Sequence, residues 1–461
     1  MHKKMKLENN LDTDDMRGLV WRLAFPSMLA QFVSVFYSIV DRMYIGNIPE
    51  IGELALAGVG VCGPIVTLLT AFSFLVGIGG APLMSIKMGQ KNIKGAQRIL
   101  SNCFLMLAVI SVVITILSLL MKRHLLMWFG ASSRTYEYAN AYITIYLLGT
   151  VFALMTAGMN QFIICQGFAK IGMKSVILGA VSNIVLDPIF IFALHMGVRG
   201  AALATVLSQM ASCIYVLAFL FGDRPPVKIT FGGYHWFIMR RVALLGFSYF
   251  LIIAFDNILI ISLNTVIQRY GGPERGDMLL TCATIVQSFM LIVTMPLGGI
   301  TTGTQTILGY NYGAKRPDRI IKAEKHILYL ALGFTGIMFL AAQTVPQLFV
   351  RIFTGNEEYV RLTVWAIRIY TLGIIPLGAQ YVIVDGFTGL GQAKIAIILS
   401  TFRKAVFFLC VFSIPPLFGV TNVFYTEPIS DILAVICSAV TFRLVFKKVI
   451  GYQRRERLDL D

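Results

Sequence analysis

The chain has 461 residues, of which 57% are hydrophobic and only 13% charged, and its mean hydropathy is +0.76. A soluble domain carries about 25% charged and about 45–50% apolar residues, so the composition excludes a soluble globular protein, a disordered chain and a secreted disulfide scaffold. The net charge of +16 reads as basic loops retained on the cytoplasmic side. No basic domain separates from the apolar segments, so no nucleic-acid partner is expected.

The first residues are polar, and no cleavable leader is expected, so the first apolar run should remain as a helix. Apolar runs predict twelve transmembrane helices near 21–46, 54–87, 98–121, 138–168, 174–195, 198–221, 242–268, 278–309, 323–346, 361–388, 394–418 and 422–447. Helices are the expected spanning form because backbone amides in hydrocarbon must be satisfied within their own segment. Runs longer than about 25 residues imply tilt, bends or ends beyond the lipid. With the N-terminus inside, most of the 39 Lys and Arg fall on one side, including Lys87, Lys91, Lys94 and Arg98 and then Lys315, Arg316, Arg319, Lys322 and Lys325. Both termini are therefore expected in the cytoplasm of a cell-membrane protein.

The polar stretch 222–241 divides the chain into an N-terminal lobe (1–222), a connection (223–241) and a C-terminal lobe (242–461). Two weak repeats link the halves. Met88-Gly89-Gln90-Lys91 matches Tyr312-Gly313-Ala314-Lys315 at a spacing of 224. Gln161-x5-Gly167-Phe168-x3-Gly172 matches Gln380-x5-Gly386-Phe387-x3-Gly391 at 219. Six helices per half insert the same way up. The expected fold is therefore an all-α integral membrane protein whose two six-helix lobes are related by a pseudo-twofold axis along the membrane normal, with a cavity between them.

The seven cysteines (Cys62, Cys103, Cys165, Cys213, Cys282, Cys410 and Cys437) lie in apolar stretches without a CxxC pair, and they read as packing residues. The five histidines, His2, His124, His195, His235 and His326, are scattered and form no acid–base cluster, which disfavours an integral-membrane enzyme. There is no phosphate loop and no HExxH. No cofactor is expected, and an ion gradient is the expected energy source. Coupling needs ionisable groups within the membrane, where they are costly unless functional or paired. The candidates are Asp41, Asp187, Asp256, Asp385, Glu427 and Asp431. Asp187 stands out: Asn183 lies one turn earlier on the same face, and Pro188 removes the donor for a nearby carbonyl. Such an oxygen set suits a small hard cation or a carboxyl that carries a proton.

At these residues the chain resembles the multidrug and toxic compound extrusion family, closest to its MepA-like and DinF-like bacterial exporters. The resemblance rests on Pro26 with Asp41-Arg42-Met43-Tyr44-Ile45-Gly46, on 88–96, 166–175, 182–192 and 200–209, and on 425–433. It implies an antiporter that exports organic, cationic compounds across the bilayer against inward Na⁺ or H⁺, acting as a monomer. It also implies a cation site, open to Na⁺, at Asp41, Asn183, Asp187 and Thr205, with Asp256 as a secondary coupling candidate. Pro26 is the expected bend point of the first helix. The expected cavity residues are Met28, Gln31, Tyr37, Met155, Asn160, Gln161, Gln287, Met290 and Gln305, since Met and aromatic surfaces accept varied shapes and lipid disfavours mid-helix amides. The rival reading within transport is a flippase for lipid-linked sugars. Its phosphate cargo calls for an Arg-rich cavity, whereas the intramembrane polar residues here read as mostly acidic or amide.

Overall fold

The computed structural model describes residues 9–129, 131, 135–353 and 356–458. They are almost wholly helical, with no strand among them. Eleven helices are long and apolar enough to cross a membrane, and a bent pair makes a twelfth span. In chain order these are α1 (Met16–Gly46), α2 (Gly52–Gly89), α3 (Ile93–Trp128) and α4 (Tyr136–Leu148 and Thr150–Ile164, bent by 57°). They continue with α5 (Ala169–Ala193), α6 (Gly197–Phe221), α7 (Tyr249–Gly272) and α8 (Met278–Gly313). The last four are α9 (Pro317–Thr344), α10 (Glu357–Gly389), α11 (Ala393–Phe418) and α12 (Val420–Val449). Large apolar side chains such as Leu120 (77% exposed) and Leu417 (73%) face outward. That is costly in water and costs nothing in lipid.

Local chemistry sets the ends. Asp15 accepts from Gly18 N at the start of α1 and Asn92 from Gly95 N at the start of α3. Pro317 opens α9, where its missing N–H is no loss. The α2–α3 and α8–α9 turns are equivalent: Lys91 (φ 59°) and Lys315 (φ 56°) both take the left-handed conformation. The α4–α5 and α10–α11 turns match in the same register. Gly167 (φ 91°) pairs with Gly391 (φ 75°), and the next helices start at Ala169 and Ala393. The structural spacing is thus 224 at both turns, and Gly-x-Ala-Lys-Ile at 167–171 recurs at 391–395. This corrects the 219 register suggested by matching Gly167-Phe168 with Gly386-Phe387, because Gly386 is helical and only Gly391 occupies the turn. The break in α4 at Gly149 has its counterpart at Gly373, where a 3-10 turn (Thr371–Gly373) interrupts α10. Each glycine lets a neighbour approach: a Cβ would lie 2.4 Å from Val206 at Gly149 and 2.8 Å from Asp431 at Gly373.

The halves meet through α1 and α2 on one side and α7 and α8 on the other, and one pair of the close contacts is reciprocal. A Cβ on Gly89 would sit 1.9 Å from Tyr310 O, and one on Gly313 would sit 1.9 Å from Ile86 O. Gly89 and Gly313, like Ile86 and Tyr310, are 224 residues apart, as a twofold relation requires. The end of the molecule bearing Lys91, Lys94, Lys315 and Arg316 is therefore closed by backbone-to-backbone packing. The segment before α1 straps across the same end. Asn9 Nδ2 donates to Gly167 O at 2.7 Å, Arg316 pairs with Asp12 at 2.7 Å, and Arg319 donates to the Leu11 and Asp14 carbonyls. The 222–235 connection is pinned as well: Val227 N donates to Gln166, and His235 N donates to Asn102.

Gly89→Val places methyl groups where the Tyr310 carbonyl stands and is expected to destabilise the purified protein by about 1–3 kcal/mol. Gly333→Val, with nothing within 4 Å of its Cβ, should stay within about 0.5 kcal/mol of the parent. Thermal unfolding in detergent measures both.

Candidate functional site

In the first half, α1, α4, α5 and α6 bring polar side chains together in an apolar surround. Asn183 and Asp187 are one helical turn apart on α5, and Asn183 Nδ2 donates to Asp187 Oδ1 at 3.3 Å and to Thr205 Oγ1 at 3.4 Å. Thr205 is tied to its own helix by donating to Ala201 O at 3.0 Å, which leaves its lone pairs facing α5. Asp41, on α1, lies within hydrogen-bonding reach of Asp187. Asp187 is 0% and Asn183 1% exposed. Helix α5 changes from α to π winding directly after Pro188. Proline has no N–H, so the Ile184 carbonyl lacks its helical donor close to the acid.

Three oxygens here, Asp41 Oδ1, Asn183 Oδ1 and Asp187 Oδ2, are buried without a hydrogen-bond partner, and no Lys or Arg ion-pairs with either acid among the described residues. Buried acceptors left without donors are costly, and two carboxyls facing one another are more so unless a proton or cation sits between them. The donor set is all oxygen and fits either. No group of three or more His, Cys, Asp or Glu converges on a metal-ion position among the described residues. Three tyrosines complete the wall: Tyr37 beside Asp41 and Asp187, Tyr142 with its hydroxyl against Thr205, and Tyr146 against Thr70 and Gln209. Tyr142, Tyr146, Thr70 and Gln209 were not singled out from sequence. Tyr142 and Tyr146 stand at i,i+4, a spacing that could have flagged a polar-tipped face.

The second half treats its acids differently. Arg403, on α11, holds Asp431 through Nε at 2.7 Å and Glu427 through NH2 at 2.5 Å, and Tyr370 OH donates to Glu427 at 3.2 Å. The next residue, Lys404, pairs with Asp256. Asp256, Tyr370, Arg403, Lys404 and Glu427 line a cavity with Leu259, Leu263, Gln287 and Phe407. The intramembrane polar set is therefore not only acidic and amide, as the sequence suggested. Adjacent Arg403 and Lys404, inside a 26-residue apolar helix, were the signal overlooked. Asp385 lies within α10, which continues to Gly389.

The other expected residues are spread out. Pro26 is buried within α1, where Met28, Gln31 and Tyr37 are half-buried. Gln161 and Gln305 face each other across a small cleft between the halves, with Pro82, Cys165, Thr302 and Thr306. Met155 and Met290 sit in packed cores of the first and second half. Asn160 is used internally, donating to Gly172 O and accepting from Ser175. His2 lies outside the described residues.

A helical membrane bundle with reciprocal halves and intramembrane acids is an architecture that transporters use. The MatE sequence profile matches residues 26–189 and 253–411, and the chain belongs to that family. Its relatives include the multidrug export protein MepA of Staphylococcus haemolyticus, 23% identical over 445 residues, with 95% of this chain and 94% of that protein covered. MepA of Staphylococcus saprophyticus is 25% identical over 445 residues, covering 95% and 93%. Among solved structures, the outward-facing conformation of a multidrug resistance MATE family transporter has a TM-score of 0.87 at 22% identity, covering 96% of this chain and 98% of that one. A MOP superfamily transporter from Pyrococcus furiosus, described as having a binding pocket of reversed polarity, has a TM-score of 0.89 at 22% identity, covering 95% and 98%.

Arg403→Met leaves two buried acids without their cation and should cost about 3–5 kcal/mol. Lys404→Met exposes only Asp256, whose side chain is 45% exposed, and should cost no more than about 1 kcal/mol. Ranked unfolding temperatures of the purified variants check the order.

Proposed function

We propose that the protein is a cation-coupled antiporter that exports drugs and other organic compounds from the cytoplasm by alternating access. The observation that carries this reading is the contrast between two sets of intramembrane acids: Asp41 and Asp187 face each other with unpartnered oxygens, while Asp256, Glu427 and Asp431 are held by Lys404 and Arg403. Only an acid pair without a permanent partner has something to exchange. The names of the Staphylococcus relatives supply the substrate class.

In this scheme the N-lobe (1–222) carries the coupling site and the C-lobe (242–461) moves against it, with both termini and the basic turns in the cytoplasm. With the basic end closed, the site faces outward and takes up a proton or Na⁺ at Asp41, Asn183, Asp187 and Thr205. Neutralising the pair removes the repulsion between α1 and α5, so α1 repacks about Pro26 and cargo leaves the cavity. The lobes then rock open at the basic end to reload. Met28, Gln31, Tyr37, Gln161, Gln287 and Gln305 are the cargo contacts favoured by their placement. Asp256 is a secondary coupling group that acts when Lys404 is displaced. The flippase reading is disfavoured because Arg403 and Lys404 are engaged by acids and present no free guanidinium or ammonium to a phosphate.

In proteoliposomes with Na⁺ and pH gradients imposed separately, dye movement should follow one gradient, and Asp187→Asn should abolish it while leaving insertion and unfolding temperature near those of the parent. Undiminished gradient-driven movement by that variant would refute the scheme.

A further inference from the structure

A second pair of acids lies in the C-terminal half, apart from the charges already described. Glu324 on α9 is 7% exposed, and both its carboxyl oxygens are buried without a hydrogen-bond partner. Asp385 on α10 lies within electrostatic reach of it. The Thr301 hydroxyl and the Gln305 amide, both on α8, stand against Asp385. Gln305 is 5% exposed, its Nε2 has no partner of proper hydrogen-bond geometry, and its other face lines the cleft between the halves.

The charged and titratable groups around the pair can be followed helix by helix. Tyr249 on α7 and Tyr381 on α10 approach Asp385. On α9, Arg319 is bound to Asn311 and to the strap carbonyls, Lys322 and Lys325 are exposed, and His326 is half-buried on a different face from Glu324. On α11, Arg403 and Lys404 are taken by Glu427, Asp431 and Asp256, and Lys394 is exposed. On α12, Arg443, Lys447 and Lys448 are exposed. On α1, Arg22 is held by Asp14. No Lys, Arg or His ion-pairs with Glu324 or Asp385 among the described residues.

The repeat shows that packing does not require these acids. At the spacing of 224, Glu324 corresponds to Leu100, Gly386 to Phe162, Asp385 to Gln161 and Thr301 to Gly77. The contacts correspond as well. Gly77 packs on Gln161 as Thr301 packs on Asp385. Leu100 and Phe162 share one apolar core in the first half, whereas a Cβ on Gly386 would lie 2.5 Å from Glu324 Oε1. The second half thus replaces a leucine and a phenylalanine with a carboxyl and the space to hold it. A buried carboxyl without a partner, as at Glu324, with a second acid close by is costly in a membrane unless it carries a ligand.

Depth distinguishes this pair from the first. Glu324 is seven residues into α9 and Asp385 four residues from the end of α10, about 10 Å and about 6 Å from the basic end at 1.5 Å per residue. Asp187 is eighteen residues into α5 from the same end, about 27 Å away. We infer that Glu324 and Asp385 form a second proton-binding site near the basic end, which exchanges protons with water that enters the inter-half cleft past Gln305 when the halves part there. The inference does not depend on the antiport reading, since it concerns protonation rather than transport.

The test is pH-difference infrared spectroscopy of the full chain in lipid nanodiscs, following the C=O stretch of protonated carboxyls. The parent should show buried protonated carboxyl near neutral pH. Glu324→Gln and Asp385→Asn should each remove or displace its signal, and it should persist in Asp187→Asn. Glu324→Leu with Gly386→Phe, which installs the residues of the first half, should fold at least as stably as the parent and lose one titrating carboxyl. If Glu324→Gln and Asp385→Asn both leave the carboxyl spectrum as in the parent, or if the whole signal disappears in Asp187→Asn, the second site does not exist. Retained efflux by Asp187→Asn would refute the antiport scheme and leave this site standing.

Discussion

The cost of an unneutralised charge inside hydrocarbon governs the arrangement of this protein's polar residues. A carboxylate there needs a cation, a proton or a dense shell of donors, and the structure contains each kind of answer. Arg403 settles Glu427 and Asp431 permanently, at 2.5 and 2.7 Å. Lys404 pairs with the more exposed Asp256. Asp41 with Asp187, and Glu324 with Asp385, have no such cationic partner among the described residues.

The same constraint explains why the two halves can share a backbone and differ in chemistry. The turns, the mid-span bends and the glycine contacts recur at one spacing, because they are backbone features that either half needs in order to fold and meet the other. The side chains laid on that frame diverge. Asn183 and Asp187 correspond to Phe407 and Val411, and Gly179 and Ala180 correspond to Arg403 and Lys404. Each half thus carries charge where its counterpart is apolar. Reciprocal contacts at Gly89 and Gly313 close one end without using any of these charged positions, so closure and ion chemistry can vary independently.

Much of the fold was legible because span length and apolar runs are strong one-dimensional signals. All twelve expected spans correspond to helices, and the observed ends differ where caps such as Asp15 and Asn92 extend them. The repeat was visible but misregistered at its second match, since Gly-Phe recurs by composition while the turn itself is set by the left-handed glycine. In the first-half site, Asn183 and Asp187 were readable from their i,i+4 spacing. Tyr142 and Tyr146, which wall the site beside the expected Tyr37, were not singled out, because they approach from α4 across the bundle. Met155 and Met290 looked like cavity residues and lie in packed cores, because a methionine has the same appearance in sequence whichever face of its helix is buried.

The amino-acid order alone determined that the chain resides in a bilayer, how many times it crosses, and that acids such as Asp41 and Asp187 fall within its spans, though it did not single out Glu324. Hydrophobicity and length act locally and need no knowledge of neighbours. Only the tertiary structure decided which acids are neutralised: Arg403 reaches Asp431 across 28 residues and Lys404 reaches Asp256 across 148, while Glu324 meets Asp385 with no cation between them. Electrostatic pairing depends on distances of a few ångströms in space, and those distances exist only once the helices have packed.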